Sequence, residues 1–417
     1  MLLEFSCSNF RSIKEEVTFS MIGAKGNVGN KRYKAIGNLK VARIASIYGA
    51  NGSGKSNFIK AVDYVKFLVC TSMSAQPGES VPQFQHKLSS PMDPSEFQIQ
   101  FMRNGVRYAY GFSIVSGHIS EEYLTYFPNK RPVKIFSRNE LVVTPGRNYR
   151  NSLNLAKTVL KENRLFLSCV ANYSGLSEVE EAFKFFYNDV VIYKTAVDGP
   201  NFNNWYEYSA ELMLKNTDIK RRFIDIMRRL GTGIVDIETY VEKMSSDNFT
   251  DILPEPMRQI IFKNKGKEFK SYRTNIIYDE FSTDLMYEES TGIKKLFQII
   301  CPLLDILSSG KVLLCDEIET GLHEAIVYKI IEFFYDNNFD EFAQLIFTTH
   351  DTNLLDLKLF EKDQIWFTQL DGNRSTDLYS LVEIKNVRNN EKLSLRYIEG
   401  KYGAIPVLNF GDRIGVE

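Results

Sequence analysis

The chain has 417 residues, 44% of them hydrophobic and 25% charged, which gives enough length for two or three domains around buried cores. Its 51 Lys and Arg balance 52 Asp and Glu, so net charge excludes a polyanion-binding tail and leaves nucleic-acid contact to a local basic patch. Five scattered cysteines with no C-x-x-C pair, no apolar run of membrane-spanning length and no leader pattern at the N-terminus predict a cytoplasmic protein with buried thiols.

Residues 2–8, LLEFSCS, place Leu3, Phe5 and Cys7 on one face, the alternation of a half-buried strand. A second strand, RIASIY (43–48), runs into GANGSGKS, and Phe58, Val62, Val65 and Val69 then recur at helical spacing. Strand, glycine loop and helix in that order are the context of a phosphate-binding loop. Gly49, Asn51, Gly52, Ser53, Gly54, Lys55, Ser56 and Asn57 are its candidate nucleotide-binding residues. Backbone N–H groups wrap the phosphates, Lys55 brings charge to the β- and γ-phosphates, and Ser56 offers a hydroxyl to Mg²⁺. The cofactors expected are therefore Mg²⁺ and a nucleoside triphosphate, ATP or GTP.

A Ser-, Pro- and Gln-rich stretch at 71–95 reads as a mobile loop, and 97–137 as an antiparallel meander punctuated by Gly105, Gly117 and Pro128. Residues 150–272 read as mainly helical. Within them DIKRRFIDIMRRL (218–230) sets Phe223, Ile226, Met227 and Leu230 on one face, with Arg221, Arg222, Arg228 and Arg229 largely elsewhere. That arginine face is either solvated helix surface or a phosphate contact. KNKGKEFK (263–270) reads as a charged turn.

The α/β pattern resumes at TNIIYDEF (274–281). YEESTGIKKL (287–296) opens a helix with Ser290 and Gly292, which serve equally as an N-cap or as an anion site. KVLLCDE (311–317) ends a buried strand in Asp316 and Glu317. An apolar strand with two terminal acids is common alone; beside the glycine loop it becomes a Walker B strand, with Asp316 a Mg²⁺ ligand and Glu317 placed to polarise the attacking water. A helix from His323, the strand QLIFTT (344–349) and His350 follow, the histidine being a γ-phosphate sensor or a structural residue. Strands near 364–369 and 377–384 lead to a tail. The sections are an N-terminal lobe (1–149), an insertion (150–272), a C-terminal lobe (273–384) and the tail (385–417), which is a docking element or a solvated polar face.

The order FSCSNFRSI, GANGSGKS, ESTGIKKL, LLCDE, TGLH, TTHD resembles the ABC-type ATPases of the SMC, Rad-fifty and RecF group. Over most of the chain it is most similar to the OLD-like, Rlo-type abortive-infection ATPases and the ATPase subunit of the PARIS anti-phage system. The resemblance implies an α/β fold, an ABC-type ATPase head: a split mixed β-sheet flanked by helices, with an antiparallel β-subdomain and a mainly helical insertion. It also implies a head-to-head homodimer or larger homo-oligomer, with Glu317 and His350 catalytic in one subunit and Ser290 and Gly292 facing them from the other. An anti-phage switch with a separate effector, a nuclease or toxin, and a phage protein as trigger would follow.

Departures from the pattern accompany it. The signature reads Ser-Thr-Gly-Ile-Lys, Gln83 and Gln85 are weak candidates for a Q-loop, and the insertion is too short for an SMC coiled coil. The absence of any D-x-D triplet argues against a Toprim nuclease in this polypeptide. Two other readings stand beside the leading one: a RecF-like DNA-repair ATPase binding duplex DNA, and a scaffold that binds ATP without hydrolysing it.

Overall fold

The computed structural model describes residues 1–24, 31–194, 200–244, 269–335 and 341–405. These fall into two compact units, Met1–Tyr193 with Ser309–Glu319 and Glu324–Glu417, and Lys194–Ser308 with Thr320–His323.

The alternation at the N-terminus does form a strand, β1 (Leu2–Ser8), paired antiparallel with β2 (Val17–Ser20). A small hairpin, β3 (Tyr33–Ile36) and β4 (Leu39–Ala42), precedes β5 (Ile44–Gly49), whose six residues are all buried. Burial on both faces explains its mostly apolar sequence, interrupted by the buried Ser46. Helix α1 (Lys55–Thr71) follows the glycine loop directly. The expected meander is β6 (Ser95–Arg103), β7 (Val106–Val115), β8 (His118–Phe127), β9 (Val133–Asn139) and β10 (Val142–Pro145). It is joined by β1 and β2 into one seven-stranded sheet in the order β10-β9-β8-β7-β6-β1-β2.

The loop 71–95 carries little regular structure, yet side-chain amides tie it down. Gln83 donates to the Ile114 carbonyl at 2.9 Å, Gln85 donates to that of Asp93 at 2.7 Å, and Asn9 accepts from the His86 N–H at 3.0 Å. The stretch is a loop, as expected, held at these three points.

Three short helices, α2 (Asn154–Thr158), α3 (Phe166–Tyr173) and α4 (Ser177–Lys184), then pack onto the antiparallel sheet, and β11 (Val190–Lys194) enters a second sheet. Glu122 of β8 sits fully buried beneath α3. It accepts the N–H groups of Phe166 and Leu167 at 2.6 and 2.8 Å and pairs with the buried Arg138 at 3.3 Å. Two orphan donors of the helix N-terminus are satisfied by one carboxylate. Residues 154–193 thus belong to the first unit, although in sequence they run on into the insertion.

The second unit begins with α5 (Pro200–Lys215) and α6 (Thr217–Arg229). The Asn216 side chain caps α6, accepting from the N–H groups of Asp218 and Ile219 at 3.1 Å. Its apolar face buries Ile219, Phe223, Ile226 and Met227. The expectation of a mainly helical insertion is corrected at 236–277. There β12 (Asp236–Met244) and β13 (Phe269–Ile277) pair antiparallel from Asp236↔Ile277 to Met244↔Phe269, with β14 (Ser282–Asp284) beyond. Paired strands so far apart in sequence leave no local periodicity to read. Residues 263–268 of the predicted charged turn lie outside the described residues. Helix α7 (Thr291–Ser309) closes this unit, its Phe297 against Tyr206 and Phe223.

The chain then returns to the first unit through β15 (Val312–Asp316), α8 (Glu324–Tyr335), β16 (Gln344–Thr348), β17 (Ile365–Leu370), β18 (Thr376–Ser380) and α9 (Leu393–Ile398). The second sheet runs β11-β15-β16-β5-β17-β18, with β5, β15, β16 and β17 mutually parallel and β18 antiparallel to β17. It is split as expected, since β5 precedes the insertion and β15–β18 follow it. Phe58 of α1 packs on Phe5 and Phe19 of the antiparallel sheet, and Phe19 meets Trp366 of the mixed sheet at 4.9 Å. Gln344 cross-links the two sheets, accepting from the Leu2 N–H at 2.6 Å and donating to the Leu2 carbonyl at 3.0 Å. The tail is not wholly a solvated face: Leu393, Tyr397 and Tyr402 are buried, and Tyr397 stacks on Phe367 of β17.

Candidate functional site

The parallel register brings four strand ends to one sheet edge. Cys315 pairs with Phe347, Thr348 with Ile47 and Thr368 with Gly49, so the C-terminal ends of β15, β16, β5 and β17 lie side by side. In open α/β sheets this edge is where ligands bind.

The glycine loop is fitted to its neighbours before any ligand is considered. A Cβ on Gly49 would fall 2.4 Å from Thr368 Oγ1, and one on Gly54 would fall 2.1 Å from Thr376 Oγ1. Gly52 meets nothing within 4 Å at a φ of +77°, so of these three glycines it faces open space. Ser53 bonds Thr368 Oγ1 at 2.6 Å, and Thr376 donates to the Ser53 carbonyl at 2.9 Å. Ser12, from the N-F-R-S run, bonds Thr376 Oγ1 at 2.7 Å and accepts from Asn57 Nδ2 at 2.7 Å. The turn after β1 therefore reaches the loop through a hydroxyl chain.

Lys55 is folded back onto the loop. Its Nζ donates to the carbonyls of Gly49 and Ala50 at 2.7 and 3.0 Å and lies 3.4 Å from His350 Nδ1. Burial pulls its pKa down to about 8, against the opposing pull of Glu317, Asp316 and Glu319. Ser56 donates to Asp316 Oδ1 at 3.1 Å, and the same oxygen accepts from Thr348 Oγ1 at 2.6 Å. Glu317 adopts a left-handed φ of +50°, which is uncommon for a residue bearing Cβ. Its carboxylate lies 3.7 Å from His350 Nε2. The His350 pKa is lowered, first by burial and then by the Lys55 charge. With Lys55 donating to Nδ1, the ring proton of the neutral imidazole sits on Nε2, toward Glu317.

The residues singled out at 49–57, 316, 317 and 350 thus converge within one unit. Ser290 and Gly292 belong to the other. They are exposed at the start of α7, where Ser290 Oγ accepts the Ile293 N–H at 3.3 Å, the geometry of an N-cap. Gln83 spends its amide on the Ile114 carbonyl of β7 and Gln85 on carbonyls of its own loop, and neither bonds to this constellation. Thr348, Thr368, Thr376 and Glu319, which accepts the His350 N–H at 2.6 Å, escaped the sequence reading. Only the T-T preceding His350 could have flagged any of them.

A cavity of about 750 Å³ borders the loop at Asn57, walled by Arg11, Phe84, Gln85, Lys87 and Arg374. The Arg11 guanidinium lies 4.7 Å above the Phe84 ring. On α6, by contrast, the arginine face is met by its own acids: Arg221 and Arg222 by Asp218, and Arg229 by Asp225.

Hard oxygen donors suit Mg²⁺, and Ser56 Oγ and Asp316 Oδ1 supply two at the loop. Among the described residues no group of three or more His, Cys, Asp or Glu could hold a metal. A metal here would depend on phosphate oxygens for its other ligands.

Residues 44–356 match the family described as "AAA domain, putative AbiEii toxin, Type IV TA system", a span containing every loop, acid and histidine residue above. No curated protein matches. Among solved structures the chain is similar to an SMC head bound to the C-terminal winged-helix domain of ScpA, at 14% identity and TM-score 0.44, covering 91% of this chain and 97% of that one. The SMC head domain from Thermotoga maritima matches at 13% identity and TM-score 0.41, over 91% and 98%. The recombination mediator RecF with ATP matches at 14% and 0.32, over 84% and 94%. Likenesses this distant bear on no activity. No described helix is long and apolar enough to cross a membrane.

Proposed function

The chain belongs to this AAA-domain family, and from that premise we propose that it is an ATP-hydrolysing switch of ABC-type ATPase fold in anti-phage defence, closing as a dimer over nucleotide to control a separate effector. The observation that carries the reading is the convergence of Lys55, Ser56, Asp316, Glu317 and His350 on one sheet edge. In it the loop amides and Lys55 hold the phosphates, while the cavity beside Asn57 takes the base and ribose. Ser56 and Asp316 would hold Mg²⁺, which when bound neutralises phosphate charge. Glu317 accepts a proton from the attacking water, and the Nε2–H of His350 orients it or the γ-phosphate oxygen.

Dimerisation rests on Ser290, Thr291 and Gly292, which lie exposed at a helix N-terminus where a γ-phosphate of a second subunit would be received. The defence role rests on the family description, which names a toxin and a type IV toxin–antitoxin system. The effector would be a separate nuclease or toxin, and the trigger a phage protein. The DNA-repair reading loses much of its best feature, because Arg221, Arg222 and Arg229 pair with carboxylates of their own helix and Arg228 donates to the Val235 carbonyl.

The test is the solution mass of Glu317→Gln by light scattering, with and without Mg-ATP, after expression beside the neighbouring gene. An ATP-dependent dimer or larger assembly carrying the neighbour's product is expected. A nucleotide-bound variant that stays monomeric would overturn the composite site.

A further inference from the structure

Thr348 ends β16, fully buried, two residues before His350. Three hydrogen bonds, made by two of its oxygens, grip the end of the neighbouring strand β15. Its hydroxyl donates to Asp316 Oδ1 at 2.6 Å and accepts the Glu317 N–H at 2.7 Å, and its carbonyl accepts the Ile318 N–H at 3.2 Å. One hydroxyl therefore touches both members of the acidic pair, through the side chain of one and the backbone of the other. The next residue, Thr349, donates its N–H to the Ile47 carbonyl of β5 at 3.1 Å, which fixes this strand end against the strand leading to the glycine loop.

The Glu317 backbone needs such a hold. A left-handed φ in a residue with Cβ is sterically disfavoured and persists only where surrounding bonds impose it. The N–H bond to Thr348 and the Ile318 bond to the same residue flank that turn on both sides. Releasing the hydroxyl frees the Glu317 peptide to rotate, and the carboxylate now 3.7 Å from His350 Nε2 turns with it. Asp316 at the same moment loses the shorter of its two hydroxyl bonds, keeping the one from Ser56 at 3.1 Å.

We infer that Thr348 is a positioning residue of the hydrolytic site, setting the aim of Glu317 and the orientation of Asp316 from the strand that carries His350. This rests on the ATPase reading above. Valine has the shape of threonine without the hydroxyl, and serine has the hydroxyl without the methyl, so the pair separates hydrogen bonding from packing.

The experiment is steady-state ATP turnover, together with Mn²⁺ binding in the presence of ATP followed by electron paramagnetic resonance, for wild type, Thr348→Val and Thr348→Ser. Loss of a group that orients a metal ligand or a catalytic base costs on the order of 10- to 100-fold. Thr348→Val is expected to lose that much in kcat with KM for ATP within about twofold, and to bind Mn²⁺ about tenfold more weakly. Thr348→Ser is expected to return both to within about threefold of wild type.

Equal impairment of the two variants would make Thr348 a packing residue and overturn the inference, as would a Thr348→Val protein matching wild type in both measurements. If Thr348→Val does not fold, a Thr348→Ser protein as defective as Thr348→Ala overturns it in the same way. A wild type that binds Mn²⁺-ATP without turnover removes the hydrolytic reading alone, and the Mn²⁺ affinities still decide the Asp316 contact. A wild type that binds no nucleotide overturns both.

Discussion

Gly54→Ala and Gly52→Ala test how the loop is built, because two glycines two residues apart face opposite surroundings. At Gly54 the new methyl would stand 2.1 Å from Thr376 Oγ1 and 2.5 Å from its Cγ2, with φ at +108°. Thr376 cannot swing away cheaply. It is buried, its hydroxyl bonds Ser12 and the Ser53 carbonyl, and its N–H donates to the Ser12 carbonyl at 2.7 Å. Backbone strain of about 1–2 kcal/mol, overpacking of about 1–3 kcal/mol and one displaced hydrogen bond of about 1 kcal/mol add to roughly 3–6 kcal/mol. At Gly52 the methyl enters open space at φ +77°, and only the backbone cost of about 1–2 kcal/mol remains.

Urea unfolding of the two variants, with nucleotide absent, reads the difference, and fluorescent-ATP titration reads the consequence. Gly54→Ala should lose at least about 2 kcal/mol more stability than Gly52→Ala. Gly52→Ala should stay folded yet bind ATP at least about tenfold more weakly, because its methyl occupies the space where phosphates approach the backbone. Unfolding midpoints that coincide, with equal slopes, would refute the claim that Thr376 sets the requirement for glycine at position 54.

Other expectations follow from the same geometry. Glu122→Ala leaves Arg138 buried without its partner carboxylate and the Phe166 and Leu167 N–H groups without an acceptor, so a loss of about 3–5 kcal/mol in chemical denaturation is expected. Glu122→Gln, which keeps an acceptor, should lose less, and equal losses would show that charge alone matters there. Ser290→Ala removes an N-cap and should cost about 1 kcal/mol, whereas Ser290→Arg should also abolish ATP-dependent dimerisation in light scattering while Lys55-dependent ATP binding survives. A Ser290→Arg protein that still dimerises would move the composite contact elsewhere.

Much of the site was legible in the chain because its chemistry is local. A buried strand must be apolar, a loop that lets backbone reach phosphate must be rich in glycine, and an acid pair at a strand end stands out against four apolar residues. Those constraints act within a dozen residues, so GANGSGKS, LLCDE and TTHD declare themselves, as do β5, α1, β15 and β16 around them. The N-F-R-S run was visible as a motif, yet its task was not. Ser12 reaches Thr376 across 364 residues of sequence, and no periodicity encodes that bond.

What tertiary structure alone decided is which of these segments meet. Sheet order β15-β16-β5-β17 brings four separately encoded strand ends to one edge, and with them Thr348 onto Asp316 and Glu317. The pairing of β12 with β13, with 24 residues between the two strands, was likewise hidden, since a strand's partner and not its own sequence completes its hydrogen bonds. The physical reason is the same in each case. Local sequence fixes what a segment can be through sterics and solvation, whereas the contacts that aim a carboxylate or exclude a methyl form only after distant segments have been brought together by burial of a common core.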